Sequence, residues 1–248
     1  MFAYTWSLTE MHKKWIAGAL LVSLLPVAEQ AMAESEWTFS GNAGLYSDYR
    51  FRGFTQTAYK PAFQGGFDLT HSSGFYVGNW NSNVEAGLYN GASLEMDFYA
   101  GYSGSSGSLE YDVGVLHYAY PSSASGNEID NTEIYAGVSA GGFGLKVSYG
   151  ITDFFGVPNS DGNSYVQLSY SRELGNGWGV AASIGYQDPA GALADKVTDY
   201  SVGVTKDING WSVGASIIGV SDKALASTAS SSENAGKTGI VLSVSKSF

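Results

Sequence analysis

The sequence predicts an all-β protein, a transmembrane antiparallel up-and-down β-barrel of about twelve strands, and three observations predict it. Apolar and polar residues alternate along most of the chain after residue 36, which is the period of a strand with one apolar face. Short turns rich in glycine and asparagine alternate with longer polar connections, as in membrane barrels. The chain also carries an export signal and ends in an aromatic residue.

The export signal occupies the first part of the chain. Lys13 and its neighbouring lysine precede an apolar run over 15–27, and small residues follow at 31–33. A basic segment, a short apolar run and small residues at the cleavage site are typical of a signal peptide. We therefore predict a signal peptide over residues 1–33, with Met11, just before the lysines, as an alternative start of the chain.

The remaining residues, 34–248, are predicted to form a single outer-membrane barrel domain. The alternation is clearest over 143–151, where Phe, Leu, Val, Tyr and Ile occupy every second position. A tilted strand needs about 10 residues to cross a bilayer. Segments of this kind fall near 37–46, 62–70, 74–84, 93–103, 108–119, 129–140, 143–151, 163–173, 178–187, 197–206, 210–220 and 238–248.

The connections between these segments predict which end of the barrel faces the cell interior. Short turns fall at 71–73, 104–107, 141–142, 175–177 and 207–210, and longer loops at 47–61, 85–92, 120–130, 153–162, 188–196 and 221–237. Membrane barrels have short periplasmic turns and long external loops, so both termini are predicted to be periplasmic. Aromatic residues at the interface would then form a periplasmic ring. They are Trp37, Phe75, Tyr111, Phe143, Trp178 and Trp211.

Composition and charge exclude several classes of function. The chain has no cysteine, which excludes disulfides, thiolate metal sites and cysteine catalysis. Twelve Lys and Arg against 23 Asp and Glu give a net charge of -11, which argues against a nucleic-acid partner. His71 and His117 are the two histidines after the signal, and neither has metal-ligand spacing, so no metal or cofactor is predicted. His117 lies on the side of its strand that is predicted to face lipid, where a lipid-active enzyme could place a catalytic base. The sequence has no serine motif to supply the nucleophile, so we predict a protein that is not an enzyme.

The last strand predicts how the barrel reaches its membrane. Phe248 is preceded at two-residue steps by Lys246, Val244, Leu242 and Ile240. This ending resembles the terminal strand of bacterial outer-membrane proteins, which the barrel-assembly machinery reads, although Lys246 departs from the usual apolar residue. We predict Phe248 as an assembly signal and the Gram-negative outer membrane, with its lipid and lipopolysaccharide, as the location.

Several motifs carry a family resemblance. The segment Ser47–Gly53 reads SDYRFRG, and further matches lie at 61–66, 74–80, 95–102 and 199–207. Together they resemble the TorF-type porin family, also called the Gcw_chp family. The resemblance implies an outer-membrane β-barrel that serves as a pore. Members are often encoded beside ammonium-uptake genes, so the resemblance also implies a nitrogenous solute.

Counting along each strand gives the side chains predicted to line the lumen. The ionisable candidates on the polar parity are Asp68, Glu95, Asp97, Glu110, Asp112, Glu133, Asp199 and Lys146. Asn79, Asn81 and Asn83, which share one face of a strand, are added as an amide ladder. Because carboxylates concentrate cations, these residues predict a porin-like channel for passive diffusion of small hydrophilic solutes, with a preference for cations. In the alternative, the carboxylates bond to tyrosine hydroxyls and close the lumen, leaving a structural or adhesive barrel that acts through its outer loops.

The first long loop contains three charged residues that are considered separately. Asp48, Arg50 and Arg52 leave the first strand at its outer end, and the two arginines share one parity. The arginines could therefore reach inward to luminal carboxylates. One interpretation is a constriction that holds the first loop in the mouth of the barrel, and the other is a structural salt bridge.

Overall fold

The computed structural model of the protein describes residues 36–124, 129–190, 196–221 and 234–248. The predicted signal peptide, 1–33, lies outside the described residues, as do parts of three predicted outer loops. None of the helical segments in the described ranges is long and apolar enough to cross a membrane.

Twelve antiparallel strands close into one barrel, in which each strand pairs with its neighbours along the chain and the last pairs with the first. The strands are β1 (Trp37–Tyr46), β4 (Ala62–His71), β5 (Phe75–Asn83), β6 (Leu94–Ser106), β7 (Leu109–Ala119), β8 (Asn131–Ala140), β9 (Phe143–Gly150), β10 (Ser164–Gly175), β11 (Trp178–Asp188), β12 (Val197–Ile208), β13 (Trp211–Val220) and β14 (Gly239–Ser247). Two further strands, β2 (Arg50–Phe51) and β3 (Phe54–Thr55), form a separate small hairpin. The predicted up-and-down barrel and its strand number are confirmed.

The barrel has an apolar outer surface because side chains alternate between its two faces. Outward-facing Phe39, Val202 and Ile240 are 64%, 60% and 67% exposed, although all three are large apolar residues. Inward-facing neighbours such as Ser201 and Gly203 are small or polar. An apolar exterior around a polar interior is the pattern of a barrel whose outside faces hydrocarbon.

The two ends of the barrel differ in the length of their connections. Turns of two or three residues join the strands at one end, which we call the turn end, and long segments join them at the other, the loop end. Trp178 and Trp211 belong to a belt of outward-facing aromatic residues around the turn end and are 46% and 47% exposed. Lys206 and Lys246 lie over these two indole rings, at 5.3 and 5.4 Å. These cation–π contacts, and the ability of a long lysine side chain to extend its charged end to the membrane surface, explain why lysines occupy outward-facing positions there.

Phe248 lies at the seam where the barrel closes. Its backbone exchanges two hydrogen bonds with Gly41, at 2.8 and 2.9 Å. A Cβ atom at Gly41 would come within 2.7 Å of the Phe248 ring, so glycine lets the ring lie flat over β1. Aromatic cover over a glycine is a known way to stabilise a sheet. The barrel therefore begins and ends at the turn end, and the periplasmic position of that end stays a prediction.

Candidate functional site

The first long loop, residues 47–61 and here called loop 1, folds into the barrel. Its strands β2 and β3 are joined by a two-residue turn of Arg52 and Gly53, whose φ values of 46° and 85° are both positive. Positive φ at both positions gives a tight hairpin of the I′ type. A Cβ atom on Gly53 would lie 2.4 Å from Val220 Cγ1, so the hairpin tip is in close contact with the wall at β13.

Arg52 connects the tip of loop 1 to three strands of the wall. Its guanidinium donates two hydrogen bonds to the Glu133 carboxylate on β8, at 2.8 and 2.7 Å, and a third to Gln187 on β11. The same group lies 4.3 Å from the centre of the Tyr165 ring on β10. Both bonds to Glu133 come from the single nitrogen Nη2, and hydrogen bonds between two ionised groups are stronger than those between neutral groups. Of the two arginines expected to reach inward, Arg52 therefore meets a luminal carboxylate.

Arg50 instead stabilises loop 1 internally. It forms a salt bridge with Asp48 and donates hydrogen bonds to the carbonyl oxygens of Gly53 and Lys237, at 2.9 and 3.0 Å. Asp48 also accepts a hydrogen bond from Thr57, at 3.0 Å. The buried Asp48–Arg50 pair therefore holds the hairpin in shape, and the two arginines have different tasks.

Tyrosine hydroxyls bond to the inward carboxylates near the loop end. Tyr49 of loop 1 donates to Glu95, at 2.6 Å, and Tyr120 donates to the other oxygen of the same carboxylate. Burial and the neighbouring carboxylate raise the pKa of Tyr49 well above its ordinary value, so its hydroxyl stays a donor. Tyr118 donates to Glu133, at 3.3 Å. The carboxylates near the loop end, Glu95 and Glu133, are thus bonded both to loop 1 and to the neighbouring wall.

Similar pairs continue towards the turn end. Tyr99 donates to Asp68 and Tyr76 to Asp112, both at 2.6 Å, whereas the pair of Tyr165 and Asp199, at 3.0 Å, lies at the loop end beside Arg52. Two further luminal candidates have other partners. Glu110 accepts from Ser139 at 2.9 Å, and Lys146 lies 4.1 Å from the centre of the Tyr135 ring. Hydrogen bonding between tyrosines and carboxylates, which the closed-barrel alternative anticipates, is therefore present.

Glycines beside these tyrosines were missed by the sequence reasoning. A Cβ atom at Gly78 would lie 2.3 Å from the Tyr99 ring, and one at Gly101 would lie 2.3 Å from the Tyr76 hydroxyl. Each ring therefore lies across a glycine on the adjacent strand. The large number of glycines was a signal of this packing, but only the register shows which tyrosine covers which glycine.

The inner wall consists of two unlike halves. On β4–β9 it carries most of the inward tyrosines and carboxylates, and we call this the tyrosine half. On β11–β14 and β1, below loop 1, it carries small residues, and we call this the serine half. Its inward side chains include Ala181, Ser183, Ser201, Gly203, Thr205, Gly214, Ser216, Ser243 and Ser245. These side chains fill less of the lumen than the tyrosines of the other half do.

The structure contradicts the prediction that Asn79, Asn81 and Asn83 line the lumen. These residues alternate with Trp80 and Ser82, which point inward and are buried. Asn79 lies between two outward phenylalanines in the register. The prediction failed because it assigned the faces of β5 by polarity, whereas this strand carries its amides outside. The amides bond to one another and to nearby carbonyls, for example Asn81 to Asn79 at 2.6 Å, which reduces the cost of exposing them to lipid.

His117, the candidate base of a lipid-active enzyme, lies near the loop end with 44% of its side chain exposed. Its Nδ1 atom is 2.9 Å from the Thr132 hydroxyl. Within the described ranges, no group of three or more histidine and carboxylate side chains is arranged to hold a metal ion.

These features define a class of protein, the membrane β-barrels with a polar interior. The chain belongs to the Gcw_chp family, described as a bacterial protein of unknown function, whose match covers residues 30–248. The family resemblance of the sequence is thereby confirmed. A search of curated proteins finds no match to the chain.

Two solved porins share the fold. The KdgM porin, determined in complex with disordered oligogalacturonate, superposes with a TM-score of 0.54 at 8% identity, over 85% of this chain and 99% of that one. The NanC porin gives a TM-score of 0.56 at 9% identity, with 85% and 99% coverage. At these identities the likeness shows the fold alone.

Proposed function

We propose that the protein is an outer-membrane channel for the passive diffusion of small hydrophilic solutes. The observation that carries this proposal is the closed barrel with an apolar outside and a polar, partly small-residue interior. The fold shared with the KdgM and NanC porins supports it. The predicted signal peptide and the terminal Phe248 support export to the outer membrane of a Gram-negative bacterium and assembly there.

In this proposal, solutes pass through the lumen between the serine half and the tyrosine half, and loop 1 is the constriction. The contacts of Arg52 with Glu133 and Gln187 hold the hairpin across the lumen. The internal salt bridge of Asp48 and Arg50 keeps the hairpin compact. The remaining opening would then be set by the gap between the hairpin and the small side chains of β11–β14.

The channel is proposed to prefer cations. The inward carboxylates include the seven predicted ones, namely Asp68, Glu95, Asp97, Glu110, Asp112, Glu133 and Asp199, and they outnumber inward cations such as Lys146 and Arg52. Such an excess raises the local concentration of cations and opposes anions. Small cationic or nitrogenous solutes, such as protonated amines, fit this charge.

The second candidate is a closed structural or adhesive barrel. The tyrosine–carboxylate bonds and the burial of loop 1 favour it, since Tyr49 is only 3% exposed and Glu95 only 2%. Such a protein would act through its loops at the loop end. Catalysis is not part of either proposal: a lipid-active enzyme would require esterase activity that His117→Ala abolishes.

Single-channel recording tests the proposal against this second candidate. The mature domain is inserted into a planar bilayer under a KCl gradient, and its folded state is verified by the heat-sensitive gel mobility of barrel proteins. Defined current steps with a reversal potential of cationic sign are expected. Absence of current from a folded barrel would contradict the channel and favour the closed barrel, whereas anion preference would contradict the charge argument.

A further inference from the structure

Asp97 differs from the six other carboxylates that the sequence predicts to line the lumen. Asp68, Glu95, Asp112, Glu133 and Asp199 each accept a hydrogen bond from a tyrosine hydroxyl, and Glu110 accepts one from a serine. Asp97 is 7% exposed, and its Oδ1 atom has no hydrogen-bond partner among the described groups. Buried carboxylates are normally paired or bound to a cation, so an unpartnered one needs an explanation.

Among the residues that the structure describes, no protein cation interacts with Asp97 strongly enough to neutralise it. Two further carboxylates, Glu95 and Glu133, lie close enough to interact with it electrostatically. Arg52, which reaches inward from loop 1, is engaged by Glu133. The local field around Asp97 is therefore negative, and a mobile cation would be drawn to it.

A second unpartnered group lies on the neighbouring strand. Trp80 is directly paired with Asp97 across β5 and β6, and its indole Nε1 atom also has no hydrogen-bond acceptor among the described groups. Asp97 lacks a donor or cation, and Trp80 lacks an acceptor. A hydrated cation meets both needs, because the ion binds the carboxylate while its water accepts from the indole N–H.

We propose that Asp97 is the cation-binding residue of the lumen and determines its preference for cations. This inference rests on the proposed channel function and specifies its site. Tyrosine or serine hydroxyls bond to the six other predicted luminal carboxylates and Arg52 neutralises Glu133, so among these seven a permeating cation finds its free carboxylate oxygen at Asp97. The site lies beside Tyr118 on β7, whose hydroxyl bonds to Glu133 in the layer that Arg52 connects to loop 1.

The test compares Asp97→Asn with Asp68→Asn and Asp112→Asn. All three changes remove one inward carboxylate and preserve its size, but the two controls remove a carboxylate that a tyrosine already holds. We expect the cation-to-anion permeability ratio to fall about fivefold in Asp97→Asn, as for the loss of a unit charge about 4 Å from the ion in water. The controls should show a smaller decrease. An equal decrease in all three variants would overturn the assignment to Asp97.

The absence of cysteine from the chain allows a chemical test of the same position. Asp97→Cys should lose cation preference and regain it after reaction with a thiosulfonate that carries a sulfonate group. The same reagent bearing a trimethylammonium group should decrease cation preference further. Failure of the thiol to react in the folded, conducting barrel would show that position 97 is not reached from the lumen and would overturn the inference.

A measurement on the unmodified protein covers the case in which the variants do not fold. A cation site in the path predicts that conductance saturates as the KCl concentration rises, and a linear increase would count against the site. The two levels of the proposal fail differently. No current from the folded wild-type barrel contradicts the channel itself, whereas unchanged selectivity in a conducting Asp97→Asn barrel contradicts only the role of Asp97.

Discussion

The tyrosine half and the serine half of the inner wall are built from strands of similar length, yet their inward side chains differ greatly in size. On the tyrosine half, rings such as Tyr76 and Tyr99 lie across glycines and end on carboxylates. On the serine half, the corresponding positions hold side chains such as Ser201 and Ser216. The number of strands fixes the diameter of a barrel, but the inward side chains decide how much of it is open.

The same comparison shows where the stability of the interior comes from. Buried hydroxyl–carboxylate bonds and rings packed against backbone hold the tyrosine half rigidly. The serine half has fewer such bonds, for example the 2.8 Å contact between Ser183 and Ser201. Loop 1 joins the two halves, since its tip contacts β13 while Arg52 bonds to Glu133 on β8.

The largest expected effect comes from breaking that connection with Arg52→Gln. This variant leaves the buried Glu133 carboxylate without its cation, which should lower the free energy of unfolding by about 3 to 5 kcal/mol. It also detaches the hairpin tip, so conductance should increase. Urea unfolding in lipid vesicles, followed by tryptophan fluorescence, and single-channel recording measure the two effects.

The double variant Arg52→Gln/Glu133→Gln should recover much of the lost stability, because two amides replace the unpaired charge. Arg172→Gln is the matched control, since Arg172 is exposed on the outside near the turn end and should change stability by no more than about 0.5 kcal/mol. Unchanged stability and conductance in Arg52→Gln would show that Arg52 does not hold loop 1.

A second variant converts the serine half towards the tyrosine half. Ser201→Tyr adds a ring to the proposed solute path and should decrease single-channel conductance without preventing folding. Val202→Tyr is its control, because Val202 points outward and is 60% exposed. If the two variants reduced conductance equally, the serine half would not line the solute path.

A third variant tests the packing of the tyrosine half. Gly78→Ala places a Cβ atom within 2.3 Å of the Tyr99 ring and must displace it or the bond to Asp68. We expect a loss of about 1 to 3 kcal/mol in the free energy of unfolding, as for other overpacked sites. The double variant Gly78→Ala/Tyr99→Leu should relieve the clash, and its stability in vesicles checks the cause. Full stability of Gly78→Ala alone would show that the ring moves freely.

The smallest effect is expected outside both halves. Asn81→Leu replaces an outward amide by an apolar side chain, so the lost hydrogen bonds and the gained lipid contact should nearly cancel, within about 1 kcal/mol. Conductance and selectivity should equal those of the wild type. A change in selectivity would show that Asn81 faces the lumen and would contradict the register of β5.

The sequence was sufficient to predict the barrel, its strands and most of its inward residues. The period of two assigns faces wherever one face is clearly apolar, as at 143–151, and closure follows because every strand needs two partners. The same rule failed at Asn79, Asn81 and Asn83, because both faces of β5 contain polar residues and polarity alone does not identify the inside there.

The sequence by itself determined the strand periodicity, the acidic interior and the position of the two arginines in loop 1. Only the tertiary structure decided which carboxylate each tyrosine and arginine reaches, since these partners are far apart in the chain, with a sequence separation of 81 for Arg52 and Glu133. It also decided that loop 1 turns inward and that Asp97 remains without a partner. The physical reason is that alternation depends on local residues, whereas contacts across the lumen depend on the register of all twelve strands at once.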